Sequence, residues 1–156
     1  MNRIAVIRIR GRVHLRKEIE DTLKMMRLYR KNTCIIIKNS EAQIGMLTKV
    51  KDYVTWGELD PETFKMLLEK RGRIAGNKPL TEQYLKEKTK MDYGTFTKEY
   101  FEFKKELKDV PGMKLFFKLC PPVHGFERKG IKKPFSMGGV LGYRKEKINE
   151  LLKRMA

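Results

Sequence analysis

Residues 33–38 read TCIIIK. Four of the six are β-branched, and six residues are too few for a stable helix, so the stretch predicts a buried strand. Upstream, Ile19, Leu23 and Met26 fall at i, i+4 and i+7 within residues 15–29, which makes one face of a helix that ends at Lys31-Asn32. Before that helix, IAVIRI (4–9) reads as a strand and GRVH, with Gly11, as a turn. Downstream, Ser40 predicts the cap of a short helix over 41–52 in which Met46, Val50 and Tyr53 share a face. YVTWG (53–57) then reads as a third strand, so residues 1–57 take the order β-α-β-α-β.

Past this point the pattern turns helical. Asp60-Pro61 supplies a cap and a first-turn proline, and Leu67-Leu68 an apolar contribution. RGRIAGNKP (71–79) is a basic, glycine-bearing break, and Thr81 can cap a helix running to about Lys90. Phe96, Tyr100, Phe103 and Leu107 form a helical stripe that Val110-Pro111-Gly112 stops. MKLFFKL (113–119) alternates, which predicts a half-exposed strand with Met113, Leu115, Phe117 and Leu119 on one face. The last helix, 145–155, buries Ile148, Leu151, Leu152 and Met155. The expected fold is α+β, three or four strands with helices on one face. Residues 1–57 and 111–156 form the core, and 58–110 a helical insertion within the same single domain.

Charge restricts function more than fold. The chain of 156 residues carries 36 Lys and Arg against 19 Asp and Glu, a net +17. Self-repulsion of that size suits a polyanionic partner: nucleic acid, an anionic membrane surface or an acidic protein. The basic residues are spread over loops rather than along one amphipathic helix, and no run reaches the ~18 apolar residues of a membrane span. Arg3, Arg8 and Arg10 interrupt the start of the chain before a signal-peptide core could form. Cys34 and Cys120 form no disulfide framework, which fits a reducing cytoplasm, and Cys34 reads as a small buried thiol.

Catalytic readings find little support. His14 and His124 both lie in basic turns without a nucleophile at a recognisable spacing. No zinc-ligand spacing occurs, so no metal is expected. SMGGVLGYRK lacks both phosphate-loop patterns. Glu99, Glu102 and Glu106 alternate with Lys104, Lys105 and Lys108, as on a solvated ion-paired face. A phosphate-handling enzyme on this frame would have only Asn32, Asn39 and His14 to work with. No cofactor and no small-molecule substrate are expected.

Nucleic acid is the better match. Basic residues gather in separate loops: Arg10, Arg12, Arg16 and Lys17; Arg30 and Lys31; Arg71, Arg73 and Lys78; Arg128, Lys129, Lys132, Lys133 and Arg144. His14 and Lys49 complete the candidate set. Loops let cations reach phosphates from several directions. The absence of a finger, zipper or recognition helix favours irregular RNA read by shape. The densest such stretch is HGFERKGIKKPFSMGGVLGYR (124–144), with five glycines, one proline and five Lys or Arg against a single acid, Glu127. Its apolar residues follow no helical or strand period. It is therefore expected to be mobile in free protein and ordered by phosphates. Gly130, Gly138 and Gly139 would allow close passage, and Phe126, Phe135 and Tyr143 would stack on bases.

TLKMMRLYRKNTCI (22–35) and MLTKVKDYV (46–54) resemble the signature of the large-subunit ribosomal protein L-thirty family. Thr22, Leu23, Leu28, Arg30, Thr33, Ile35, Met46, Leu47, Val50, Tyr53 and Val54 match, and Met26 stands where Leu or Phe is usual. KRGRIAGNKPLT (70–81), FKLCPP (117–122), GIKKPF (130–135) and GGVLGYRKEKINELLKRM (138–155) resemble the longer archaeal and eukaryotic form. The eukaryotic extension before the first strand is not expected here. The resemblance implies a ferredoxin-like split β-α-β core, with the segment 124–144 as an extended basic C-terminal loop. It also implies a place in the large ribosomal subunit, with large-subunit ribosomal RNA, the 5S RNA region and neighbouring ribosomal proteins as partners, and no catalysis. A free-standing RNA chaperone or translation regulator is the alternative.

Overall fold

The computed structural model describes residues 3–156. Its first half follows the expected order: β1 (Arg3–Arg8), α1 (Lys17–Met25), β2 (Thr33–Lys38), α2 (Glu41–Lys49) and β3 (Val54–Glu58). β1 pairs antiparallel with β2 on one side and with β3 on the other. β2 and β3 thus run parallel with β1 between them, the split β-α-β arrangement. Three helices follow, α3 (Pro61–Arg71), α4 (Glu82–Thr89) and α5 (Tyr93–Phe101). The chain ends with β4 (Phe117–Lys118), β5 (Gly142–Tyr143) and α6 (Ile148–Met155), and the sheet order is β4-β2-β1-β3-β5. The fold is α+β. Among the described residues no helix is long and apolar enough to cross a membrane.

Helices cover both faces of the sheet, not one. Ile4, Val6, Ile35 and Val54 pack with Leu23, Met26, Leu47 and Val50, under α1 and α2. On the other face Ala5, Ile7 and Cys34 pack with Phe64, Leu67, Phe96, Tyr100, Leu151 and Leu152, from α3, α5 and α6. Every residue of β1 is buried, which explains its nearly unbroken apolar run: a strand covered on both sides has no solvent face to alternate toward. Burial pushes the Cys34 thiol up to about 12, so it stays a neutral core group.

Three local expectations need correction. The stripe from Phe96 to Leu107 is not one helix, because α5 stops at Phe101 and Phe103 takes a left-handed φ of 62°. The stop is set by Arg3. Its Nε and Nη2 donate to the Tyr100 carbonyl at 3.2 and 2.9 Å, and its guanidinium lies 3.9 Å from the Tyr100 ring centroid and 4.4 Å from that of Phe103. The Lys104 N–H, which would continue the helix by bonding Tyr100, bonds the Glu99 carbonyl instead. Leu107 returns to the core on a short 3₁₀ turn. In 113–119, Met113, Phe117 and Leu119 are buried, yet only Phe117 and Lys118 join the ladder. Ser40 and Asp60 occupy their cap positions without making a side-chain capping bond, whereas Thr81 Oγ1 accepts from the Tyr84 N–H at 3.3 Å.

Gly57 fixes how closely β3 meets the start of α6. A Cβ there would stand 2.0 Å from the Lys145 carbonyl oxygen and 3.1 Å from Ile148 Cβ. Gly57→Ala is expected to lower unfolding free energy by about 2 kcal/mol, the usual scale of overpacking. Gly11→Ala, with nothing within 4 Å of the added carbon, should leave it nearly unchanged. Denaturant midpoints of the two variants check the contrast.

Candidate nucleic-acid interface

The strand register gathers the basic loops. Arg8 pairs with Val54, Ile7 with Cys34, Thr33 with Lys118, and Thr55 with Gly142. The exit from β1, the entries to β2, β3 and β5, and the exit from β4 therefore lie at one end of the sheet. That end receives Arg10, Arg12, His14 and Arg16 from the first loop, and Arg30 and Lys31 from the second. Arg128, Lys129, Lys132 and Lys133 arrive on the segment that leads to β5. Arg71 is tied to the same end, since its Nη2 donates to Cys120 Sγ at 2.9 Å just beyond β4.

One buried side chain fastens the first two loops. Arg8 is 2% exposed. Its Nε donates to the Arg10 carbonyl at 2.9 Å, Nη2 to Gly11 at 2.8 Å, and Nη1 to Leu28 at 2.7 Å. Burial, aided by the Arg12 charge, lowers its guanidinium from the ordinary value, and the ring of carbonyl dipoles is its compensation. Arg12 Nε adds a bond to the Tyr29 carbonyl at 2.8 Å. Arg10 lies 4.9 Å from the Tyr53 ring centroid and donates to the Asp52 carbonyl at 3.2 Å. Arg10 and Arg12 thus shape the loops as well as charging them.

A second fastening holds the C-terminal segment. The Arg144 side chain is 1% exposed and meets Glu127 Oε1 at 2.8 Å, Thr55 Oγ1 at 2.9 Å and the Val140 carbonyl at 3.0 Å. Arg154 stands 3.8 Å from the same carboxylate. Burial alone would raise the Glu127 carboxyl; the Arg144 hydrogen bond, a backbone N–H and the charges of Arg144 and Arg154 outweigh it and hold the group below its ordinary range. Between these anchors, the Val140 and Leu141 N–H groups donate to the Lys133 carbonyl, and Phe135 N–H donates to Leu141. The turn that carries Lys132 and Lys133 is closed by its own backbone, so the expectation of a segment ordered only by phosphates is corrected: its own hydrogen bonds and the Arg144–Glu127 pair arrange it.

Arg16, Lys17, Arg30, Lys31, Arg128, Lys129, Lys132 and Lys133 are all exposed, and among the described residues none has a carboxylate within 4.0 Å. Residues 4–54 match the family described as Ribosomal protein L30p/L7e. The "Large ribosomal subunit protein uL30" of Methanopyrus kandleri is 50% identical over 148 residues, 94% of this chain and 99% of that one. Its namesake in Nanoarchaeum equitans is 51% identical over 150 residues, 96% of each chain. That of Methanococcus vannielii is 50% identical over 151 residues, 97% of each. The chain belongs to the L30p/L7e ribosomal protein family. The likeness extends well past the matched 4–54, as the longer form implied.

In this L30p/L7e chain not every predicted contact is placed alike. Arg144 is turned inward: its side chain is 1% exposed and spends three of its five N–H groups on protein acceptors, away from any phosphate approaching from solvent. Lys49 sits in the last turn of α2, 3.9 Å from Glu18 on α1. Arg73 and Lys78 are held on the lead-in to β4, where the Lys114 N–H donates to the Arg73 carbonyl. Phe126 is half-buried against the main core, and Phe135 lies under the Arg144 guanidinium, 4.7 Å from its centroid. Of the three aromatics only Tyr143 is exposed, with its hydroxyl donating to Glu58. Gly139 serves close passage of the chain past itself, since a Cβ there would stand 2.1 Å from the Lys133 carbonyl oxygen.

The sequence reading missed the two fasteners, Arg8 and Glu127. Glu127 was visible as the lone acid in a basic stretch, and Arg8 as a charge in a strand otherwise buried. Arg8→Met would strand three carbonyls at the basic end, with an expected loss of roughly 3 kcal/mol and faster amide exchange over residues 10–31. Glu127→Gln leaves the Arg144 charge unmatched and should cost roughly 3 kcal/mol, the low end for a broken buried pair. Because the folded Glu127 carboxyl lies below its ordinary 4.5, its contribution is complete above that pH and is lost as pH falls through the folded value. Acid titration of stability should show this loss in the wild type and not in Glu127→Gln.

Proposed function

We propose that this protein is a structural constituent of the large ribosomal subunit in the cytoplasm, bound to large-subunit ribosomal RNA through the basic end of its sheet. Eight exposed cations at that one end carry the reading, seven on prearranged loops and Lys17 at the start of α1, none of them paired with a carboxylate among the described residues; the archaeal relatives, named as large-subunit proteins, support the subunit. Lys132 and Lys133 neutralise phosphates from a closed turn, and Arg16, Lys17, Arg30 and Lys31 do so from the loops that Arg8 holds. Arg71, Arg128 and Lys129 widen the surface, with His14 at its margin. Fixed loops bind with less ordering cost than mobile ones, which suits a built-in component. The family resemblance supports a location near the 5S RNA, with ribosomal proteins as neighbours. Residues 58–110 belong to the same folding unit as 1–57 and 111–156, a reading favoured by the shared packing of α3, α5 and α6.

Sedimentation of native lysate through a high-salt gradient tests this. One copy per large subunit is the expected result, and release at moderate salt would favour a free-standing RNA binder instead. In isolated protein, Lys132→Ala with Lys133→Ala should weaken RNA binding and flatten the slope of log affinity against log salt by about 1.5–2, close to one unit for each phosphate no longer neutralised. An unchanged slope would remove these two lysines from the interface.

A further inference from the structure

The outer edge of β2 is only half covered. β1 pairs along Cys34 to Lys38, but β4 reaches only Thr33 and Cys34. Among the described residues, no backbone hydrogen bond from outside the β1–β2 ladder reaches Ile35, Ile36 or Ile37. Natural sheets protect such edges with proline, a bulge or a charge, because unpaired peptide groups recruit further strands. Here Ile35, Ile36 and Ile37 run in sequence, and the one charge on this edge, Lys38, is matched by Glu106. Beside them lies a groove of about 540 Å³ whose walls include Met25, Ile36, Ile37, Met46, Leu107 and Leu115. Met25 is 69% exposed there, a flexible apolar side chain suited to an adaptable contact.

The mouth of the groove selects among occupants. Lys38 and Glu106 pair with each other and cancel. Arg27 and Lys108 also line the groove, are exposed, and among the described residues have no carboxylate within 4.0 Å. An apolar trough beside free backbone groups, with uncompensated cations at its lip, complements an extended peptide that alternates apolar side chains with carboxylates. RNA offers neither a strand edge nor apolar side chains, and Arg16, Lys17, Arg30, Lys31, Arg128, Lys129, Lys132 and Lys133 lie toward the opposite end of β2.

We infer that the free edge of β2 is a docking site for an extended, acid-bearing segment of another polypeptide in the large subunit, which adds a strand beside Ile35–Ile37. The inference rests on the proposed ribosomal role. The test replaces Met25 with the photo-crosslinking residue p-benzoylphenylalanine; so exposed a position should tolerate the change. Large subunits are isolated by high-salt sedimentation and then irradiated, and the adducts are mapped by mass spectrometry. The expected result is an adduct from Met25's position to one extended peptide containing Asp or Glu, reduced severalfold when Lys108→Glu is added. If the protein sediments with the subunit but forms adducts only with RNA, or none, the docking site is overturned and the ribosomal role stands. If the wild-type protein is absent from the subunit fraction, the ribosomal role falls and takes the docking site with it.

Discussion

Placing β1 at the centre of a sheet covered on both faces constrains the rest of the molecule. All its side chains must be buried, and the strand nonetheless begins and ends with arginine. A guanidinium cannot lie in such a core without acceptors. Arg3 finds them in the Tyr100 carbonyl and two aromatic faces, and in doing so it terminates α5. Arg8 finds them in the Arg10, Gly11 and Leu28 carbonyls, and thereby draws two basic loops together. The strand interior supplies apolar cohesion, while its two ends dictate where neighbouring segments stop and turn.

That division explains what could be read from residue order. Short-range periodicity revealed the β-α-β-α-β half, because Ile19, Leu23 and Met26, or the run at 33–38, report their own burial. Two-sided coverage of the sheet was implicit in the unbroken IAVI run but required knowing that α3, α5 and α6 return to the second face. The end of α5 was not legible, since the stripe through Phe96, Tyr100, Phe103 and Leu107 continues past it. The decisive partner, Arg3, lies 97 residues away from Tyr100.

The binding surface shows the same limit. Cation-rich loops were visible as composition, as separate clusters, and only the register brings most of them to one end. Which cations are spent internally was not visible. Arg144 and Lys133 both belong to the same glycine-rich stretch, yet one is buried on Glu127 and Thr55 and the other is exposed. The difference follows from tertiary geometry: β5 aligns with β3, carries Arg144 beneath the segment, and leaves the turn at 130–134 outside. Glycines that suggested room for a foreign backbone partly serve the chain's own crossing, as at Gly139.

The chemistry of the fasteners has a consequence for regulation. The loops at the basic end are held by a guanidinium and peptide carbonyls, and most of their exposed charges are arginine and lysine, none of which changes protonation across the range a cell experiences. The attraction of this surface for anions is therefore nearly blind to acidity, and the variable that governs it is the concentration of competing counterions.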